Sequence, residues 1–203
     1  MRALLASGNS HKLDELQAAL PGWEIELLRA DGFPDEDGET YYENAQGKAR
    51  YGRDVADPGA WILGEDSGIE AVALGGRPGV ESARWAEDGV AQLLVELDDA
   101  VDRRARYVCE LVALTPDGDE VRGTGILEGA IARERRGDEG FGYDPIFIPT
   151  GEERTVAELG NAWKRSNSHR ARAAAALLRS LSAMPQLDRS GARDESGTCQ
   201  RRV

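Results

Sequence analysis

Two kinds of apolar spacing alternate along this chain, and their order limits the folds it can adopt. Residues 1–6 are apolar apart from Arg2 and are typical of a buried strand, after which Leu13, Leu16 and Leu20 recur at helical spacing until a Pro-Gly pair. Further strand signals lie at residues 25–28, 61–63, 69–74, 106–114 and 120–131. The last two flank the turn sequence TPDGD and predict a long hairpin. Mixed strands and helices of this kind predict the α/β class with a mixed sheet.

Two helices have recognisable starts. Thr40 and Glu43 fit a capping box, and Ser168 is a suitable N-cap for the alanine-rich stretch HRARAAAALLRSLSAM. Between these helices the sequence GEDSG follows a short apolar run, so Glu65 and Asp66 are expected at the end of a strand. The predicted framework therefore presents helix starts and a pair of carboxylates as candidate positions for a site.

Composition limits the number of domains and the kinds of partner. A chain of 203 residues with 40% hydrophobic content can bury one sizeable core, so residues 1–184 are predicted to form a single domain. Residues 185–203 have almost no large apolar side chains and are predicted to be a disordered tail. The net charge of −12 disfavours binding to nucleic acid or to an anionic membrane. An anionic ligand would therefore need a local cluster of cations or a metal.

The cysteine content and the hydropathy of the chain indicate its cellular compartment. Cys109 and Cys199 provide neither a disulfide framework nor a metal-ligand spacing. The N-terminal apolar run is too short for a secretory signal, and no run of about 18 apolar residues occurs. These features predict a cytoplasmic protein without a membrane segment.

The rare basic residues point to a phosphate site. Only three of the 25 basic side chains are lysines, namely Lys12, Lys48 and Lys164, and the only two histidines are His11 and His169. A compact ammonium that binds phosphate as a point charge is not replaceable by a planar guanidinium at a tight site. The alternative is a few chance lysines on the surface. Retention of lysine at three positions in a chain that otherwise uses arginine indicates that these positions bind an anion.

The stretch SGNSHK joins the first strand to the first helix. The unpaired N–H groups at a helix N-terminus, with Lys12 in the first turn, form a suitable anion site. The alternative, that Asn9 or Ser10 simply caps the helix, is about as well supported, because the chain lacks a full P-loop motif.

The last helix repeats this pattern. His169, Arg170 and Arg172 lie in its first turn, where cations oppose the helix dipole unless a bound anion or another acceptor neutralises them. Solvated surface charges are the alternative. Carboxylates such as Glu43, Glu65 and Asp66 suit Mg²⁺, which takes one or two protein carboxylates and leaves its other positions to water and phosphates. Glu43 could equally serve only its capping box.

The motifs SGNSHK, TYYENAQGKAR, EDSGIEAVALGGRPGVESARWA, GFGYDPIFIP, AEL and SHRARA together closely resemble the Ham1/RdgB family of inosine triphosphate pyrophosphatases. The resemblance extends from about residue 4 to residue 182. It implies an elongated mixed β-sheet flanked by helices in two lobes, with the active cleft between them. It also implies a homodimer and Mg²⁺-dependent hydrolysis of ITP, dITP and XTP to the monophosphate and pyrophosphate.

The same resemblance implies roles for individual residues. Asp66, Glu65 and Lys48 would be catalytic, with Asp66 activating the attacking water, and Glu43 and Asp66 would hold Mg²⁺. The triphosphate would lie against Ser7, Gly8, Asn9, Ser10, His11 and Lys12. Ser67 would be a further substrate contact, and the base pocket would comprise Phe141, Gly142, Tyr143, Asp144, Lys164, His169 and Arg170, with Phe141 stacking on the purine.

Two departures from the family pattern stand out. Glu65 replaces the first of two aspartates that are usual in the family, and the segment AEDGVAQLL after SARWA is shorter than expected. A Maf-type nucleotide pyrophosphatase is a second interpretation of the enzyme, against which the SHR and GFGYD motifs argue. A nucleotide-binding module without catalysis is a third, and it would not need Glu43, Glu65 and Asp66. The absence of G-x-G-x-x-G after a strand argues against a dinucleotide oxidoreductase.

Overall fold

The structure is a computed structural model that describes residues 1–183. The C-terminal boundary of the predicted domain and the predicted disordered tail lie outside these residues. The strands are β1 (Arg2–Leu5), β2 (Glu24–Leu27), β3 (Trp61–Ala71), β4 (Arg104–Leu114), β5 (Glu120–Ile131) and β6 (Phe147–Pro149). The helices are α1 (Ser10–Ala19), α2 (Tyr41–Val55), α3 (Gly89–Glu96), α4 (Val156–Asn167) and α5 (His169–Ala183).

The six strands form one sheet in the order β2-β1-β3-β4-β5-β6. β1 is parallel to β2 and to β3, whereas β3, β4, β5 and β6 pair antiparallel in succession. β4 and β5 form the long hairpin predicted around TPDGD. The α/β class with a mixed sheet and flanking helices is therefore confirmed.

β3 is one continuous strand of 11 residues, so the prediction that GEDSG lies at a strand end was wrong. Gly64 does not end the strand but lets α2 pack directly on it: a Cβ on Gly64 would lie 2.0 Å from the carbonyl oxygen of Ala45. Successive side chains of a strand point to opposite faces. Glu65 consequently faces α1 and α5, whereas Asp66 faces α2.

Buried side chains form separate clusters along the long strands. One cluster packs β1, β3 and β4 against α1 and α5 and includes Leu5, Leu16 and Leu177. Another lies towards the opposite end of β3 and β4, with α3 and β6, and includes Leu93 and Phe147. These two clusters correspond to the two lobes, and a cleft opens between them. No helix within residues 1–183 is long and apolar enough to span a membrane.

Helix α4 is an element that the sequence interpretation missed. Thr155 Oγ1 accepts a hydrogen bond from the Glu158 N–H, and Glu158 Oε2 accepts one from the Thr155 N–H, so a capping box begins the helix. Gly160 has a φ of 84° and kinks it. The TVAE sequence carries the same start signal as Thr40 to Glu43, but the glycine and the short apolar pattern conceal the rest of the helix.

Glycines on β5 allow α5 to approach closely and so position its first turn. A Cβ on Gly125 would lie 2.0 Å from the carbonyl oxygen of His169 and 2.3 Å from the backbone nitrogen of Ala173. A side chain there would require the helix backbone to move. The residues at the start of α5 consequently lie over the middle of the sheet.

We expect Gly125→Ala to lower the free energy of unfolding by about 3 kcal/mol, at the upper end of overpacking costs, because backbone rather than a flexible side chain must shift. Gly47→Ala is the matched control, since Gly47 is an exposed position of α2 with open space around its Cα. That variant should gain up to about 1 kcal/mol from helix propensity. Urea denaturation measures both, and equal stability of the two variants would contradict the close approach.

Candidate active site

A cleft of about 390 Å³ lies between the two lobes. Its walls come from α1, β3, the segment between β3 and α3, the loop after β5, and helices α4 and α5. Of the residues predicted from the sequence, those lining it are Asn9, Lys12, Asp66, Ser67, Phe141, Gly142, Tyr143, Asp144, Lys164, His169 and Arg170. The cleft therefore brings together motifs that are more than 150 residues apart in sequence.

The start of α1 forms one end of the cleft. Asn9 Oδ1 accepts hydrogen bonds from the N–H groups of His11 and Lys12, and Ser7 Oγ accepts one from the Asn9 N–H. Asn9 thus caps the helix, as one of the two interpretations of SGNSHK required. The N–H groups of Gly8 and Ser10 have no hydrogen-bond acceptor among residues 1–183. Capping and a remaining capacity for an anion are therefore compatible.

Glu65 lies at the centre of the α1 and α5 face. Its side chain is 0% exposed, and its oxygens lie 2.6 Å from Lys12 Nζ and 3.0 Å from Arg170 Nε. Burial favours the neutral carboxyl, but Arg170, Lys12 and Lys48 together hold the pKa of Glu65 well below its usual range. Arg170 also donates from Nη2 to Ser67 Oγ at 2.6 Å. Glu65 is therefore an ionised carboxylate that pairs with Lys12 at the predicted phosphate end and with Arg170 at the predicted base end.

Asp66 belongs to a second group on the α2 face. Its oxygens accept from Asn44 Nδ2 at 3.0 Å and from Lys48 Nζ at 3.4 Å. The same ammonium contacts a carboxylate oxygen of Glu36, a residue in the loop before α2. Burial raises the pKa of Asp66, Lys48 opposes this, and the carboxylates Glu36 and Glu65 reinforce it. A carboxylate with a raised pKa beside a lysine has the properties of a general base.

Glu43 lies apart from this arrangement. It is exposed, and its Oε2 accepts from the Thr40 N–H at 2.9 Å while Thr40 Oγ1 accepts from the Glu43 N–H at 3.2 Å. The capping box predicted from the sequence is confirmed. The carboxylate that shares the Lys48 ammonium with Asp66 is Glu36, which the sequence interpretation did not single out, and Glu36 lines the cleft.

The base end of the cleft is built around Phe141. Lys164 Nζ lies 4.3 Å from the centre of the Phe141 ring and Arg170 Cζ lies 5.2 Å from it. The His11 ring stacks on the same phenyl ring, with centroids 5.1 Å apart and planes at 19°. His11, predicted at the phosphates, thus contacts the predicted base pocket. The geometry presents an aromatic surface bordered by cations, which suits a purine.

Lys164 is held by two carboxylates. Its Nζ lies 2.6 Å from Asp144 Oδ2 and 2.6 Å from Glu15 Oε1, and Glu15 Oε2 is also 3.4 Å from Arg170 Nη1. Asp144 Oδ2 additionally accepts from the Phe141 N–H at 2.8 Å, which fixes the GFGYD loop. Glu15 was not predicted from the sequence, although it follows Lys12 by one helical turn. These contacts orient the donors at the base end.

His169 and Tyr143 complete this end. His169 is buried, and burial, reinforced by Arg170, lowers its pKa well below the usual value, so the imidazole is neutral. Tyr143 donates from its hydroxyl to the Ser82 carbonyl at 2.9 Å, which joins the loop to the opposite wall. Gly142, the residue before Tyr143 in this loop, has a φ of 60°. His169 is therefore a neutral hydrogen-bonding group rather than a cation opposing the helix dipole.

The expected conflict between cations and the α5 dipole is largely removed within the protein. Arg170 pairs with Glu65 and Glu15, and Arg172 donates to the carbonyl oxygens of Ile126 and Asn167. Of the alternatives raised by the sequence, acceptor groups within the protein neutralise or hydrogen-bond these arginines. Their arrangement does not require a bound anion.

Comparison with known proteins identifies the lineage of this site. Residues 3–180 match the Ham1 family. The chain belongs to that family. Among its relatives are proteins named dITP/XTP pyrophosphatase in Deinococcus radiodurans and Mycobacterium tuberculosis, each 42% identical. The alignments cover 87% and 89% of this chain and 91% and 95% of those proteins, respectively.

Solved structures of Ham1 proteins agree with this fold. The Staphylococcus aureus Ham1 protein is 32% identical with a TM-score of 0.79, over 90% of this chain and 98% of that one. A Mycobacterium abscessus structure titled as a nucleoside-triphosphatase / dITP/XTP pyrophosphatase is 40% identical with a TM-score of 0.68, over 89% and 100% of the two chains. The resemblance inferred from the motifs is therefore confirmed.

Proposed function

We propose that this Ham1-family chain hydrolyses the non-standard purine nucleoside triphosphates ITP, dITP and XTP to the monophosphate and pyrophosphate, and so clears them from the nucleotide pool. The observation that carries this proposal is the pairing, within one cleft, of a lysine and carboxylate end with an aromatic end bordered by cations. The names of the bacterial relatives support the same substrates. We further propose a homodimer and a cytoplasmic location.

The carboxylates of the α2 face suit Mg²⁺. Asp66 and Glu36 already share one cation, the Lys48 ammonium, and carboxylate oxygens are the ligands that Mg²⁺ prefers. No cluster of three or more acidic, histidine or cysteine side chains forms a metal cage within residues 1–183, but Mg²⁺ needs only one or two protein carboxylates. Asp66 would hold the metal with Glu36, in preference to the capping residue Glu43. Bound there, Mg²⁺ would polarise phosphate oxygens.

The chain's own residues have distinct parts in the reaction. A water molecule attacks the α-phosphorus and Asp66 accepts its proton, after which the bond to the bridging oxygen breaks and pyrophosphate leaves. Lys12 and Lys48 offset the charge that builds on the phosphate oxygens. Glu65 keeps Lys12 and Arg170 in place through its two ion pairs. Positioning and electrostatics therefore account for most of the catalysis.

Selection of the base depends on the donors at the aromatic end. Hypoxanthine and xanthine have an oxygen at position 6, which accepts from Lys164, Arg170 or His169. Adenine has an amino group there, which cannot accept from these side chains and would oppose the N–H groups that their carboxylate partners leave free. Sites of this kind discriminate by about 10⁴-fold or more. Guanine shares the oxygen, so its rejection needs a separate contact.

Product analysis tests the proposal. The purified chain with Mg²⁺ is incubated separately with dITP, XTP, dGTP, dATP and dTTP, and monophosphate and pyrophosphate are quantified. We expect pyrophosphate from dITP and XTP, little from the others, and none in excess EDTA. Hydrolysis of dTTP in preference to dITP would favour a Maf-type activity, and nucleotide binding without any turnover would favour the binding module. Light scattering tests the homodimer.

A further inference from the structure

Tyr107 contacts the base end of the cleft without belonging to any of the motifs considered above. It lies on β4, is buried, and lines the cleft. Its ring stacks on the His169 imidazole with centroids 4.6 Å apart and planes at 9°. It also packs on Phe147 at 4.5 Å. The phenol ring is therefore confined between the two.

The Tyr107 hydroxyl contacts the carboxylate of Asp144, which also fixes the GFGYD loop. It lies 3.3 Å from Asp144 Oδ1, whereas Asp144 Oδ2 accepts from Lys164 and from the Phe141 N–H. The hydroxyl thus restrains rotation of the carboxylate about the oxygen that holds Lys164. Loss of this contact would loosen the carboxylate rather than remove it.

The imidazole of His169 depends on the Tyr107 ring for its orientation. Its Nδ1 is buried and has no hydrogen-bond partner among residues 1–183. A histidine ring is usually oriented by a hydrogen bond to one nitrogen, which leaves the other for function. Here the parallel stack on Tyr107 takes the place of that bond, so the position of the imidazole edge depends on the position of the phenol ring.

We propose that Tyr107 is a positioning residue for recognition of the purine base: its ring orients His169 and its hydroxyl orients Asp144, and through Asp144 the Lys164 ammonium. The inference rests on the proposed function, since it assigns these three groups to the base. It assigns Tyr107 no contact with the reacting phosphate. Substitution should therefore affect base affinity and selectivity much more than the rate of the chemical step.

Two substitutions separate the contribution of the Tyr107 ring from that of its hydroxyl group. Tyr107→Phe keeps the stack and removes the hydroxyl, and Tyr107→Leu removes both. Calorimetry with the monophosphates dIMP and dAMP measures binding without turnover, and kcat and KM are measured for dITP. We expect Kd for dIMP to rise about 3-fold in Tyr107→Phe and about 30-fold in Tyr107→Leu. The preference for dIMP over dAMP should fall in the same order, with kcat for dITP within about 3-fold of wild type.

Tyr51→Phe is the control, because Tyr51 on α2 packs on Phe33 outside the cleft. Tyr107→Leu with unchanged selectivity, or with equal losses of kcat and affinity for both bases, would overturn the positioning role. A wild-type chain that binds dIMP selectively but hydrolyses no nucleotide would contradict the proposed hydrolysis, and a loss of that selectivity in Tyr107→Leu would still support the inference. A wild-type chain that binds neither monophosphate and hydrolyses no dITP would overturn both.

Discussion

Asp66→Asn should lower kcat for dITP by about 10³-fold or more while the fold remains intact, because the amide cannot accept the proton of the attacking water. The structure supports a clean test. Asn44 and Lys48 contact the Asp66 oxygens, and an amide of the same shape fills the same volume. The amide can accept from only one of these two donors, but burial already disfavours the charged form of Asp66, as its raised pKa indicates, so the melting temperature should fall only modestly. Steady-state kinetics and thermal unfolding measure the two effects.

Asp54→Asn is the matched control, since Asp54 is an exposed residue of the same helix that carries Lys48. That variant should keep wild-type kinetics. Activity of Asp66→Asn within about 10-fold of wild type would remove Asp66 from the role of general base. A large loss of melting temperature would instead assign it a structural role.

Arg170→Ala should produce the largest combined loss of stability and selectivity. The side chain is buried and contacts Glu65, Ser67 and Glu15, so its removal leaves buried carboxylates with fewer counterions. Breaking a buried pair from one side typically costs about 3–5 kcal/mol. A proposed donor to the base oxygen is lost as well, so discrimination between dITP and dATP should weaken. Urea denaturation and paired kcat/KM values measure the effects.

Two further variants clarify the cause. Arg172→Ala removes an exposed arginine of the same helix and should have little effect on either quantity. Arg170→Lys keeps the charge but not the planar fork, so it should recover part of the stability and little of the selectivity. Wild-type selectivity in a folded Arg170→Ala variant would show that the base edge lies elsewhere.

The clustering of many candidate-site residues could be predicted because chemical constraint and residue rarity coincide there. In a chain that uses arginine almost throughout, Lys12, Lys48 and Lys164 remain, and the structure places all three against buried carboxylates around one cleft. The carboxylates themselves could not be selected in this way. Glu15 and Glu36 are two of 37 acidic residues, and only their spatial partners distinguish them.

Local sequence also misled where tertiary packing determined the residue type. The sequence GEDSG suggested the end of a strand, but close approach of α2 requires Gly64 within a continuous strand. Tyr107 resembled any apolar residue of an alternating strand, and its relation to His169 depends on contacts 62 residues apart in sequence. Long-range packing of this kind leaves no periodic signal in the chain.

The unbroken strands beneath the cleft affect the timescale of nucleotide entry. β3, β4 and β5 are each 11 or 12 residues long and extend under both buried clusters, so no flexible linker separates the lobes. Hinged closure of two domains is a microsecond-to-millisecond motion in which a few loop or element-terminal residues absorb the change in φ and ψ. Because the long strands join the lobes rigidly, we expect side chains and loops at the mouth, which move on nanosecond-to-microsecond timescales, to control access to this site.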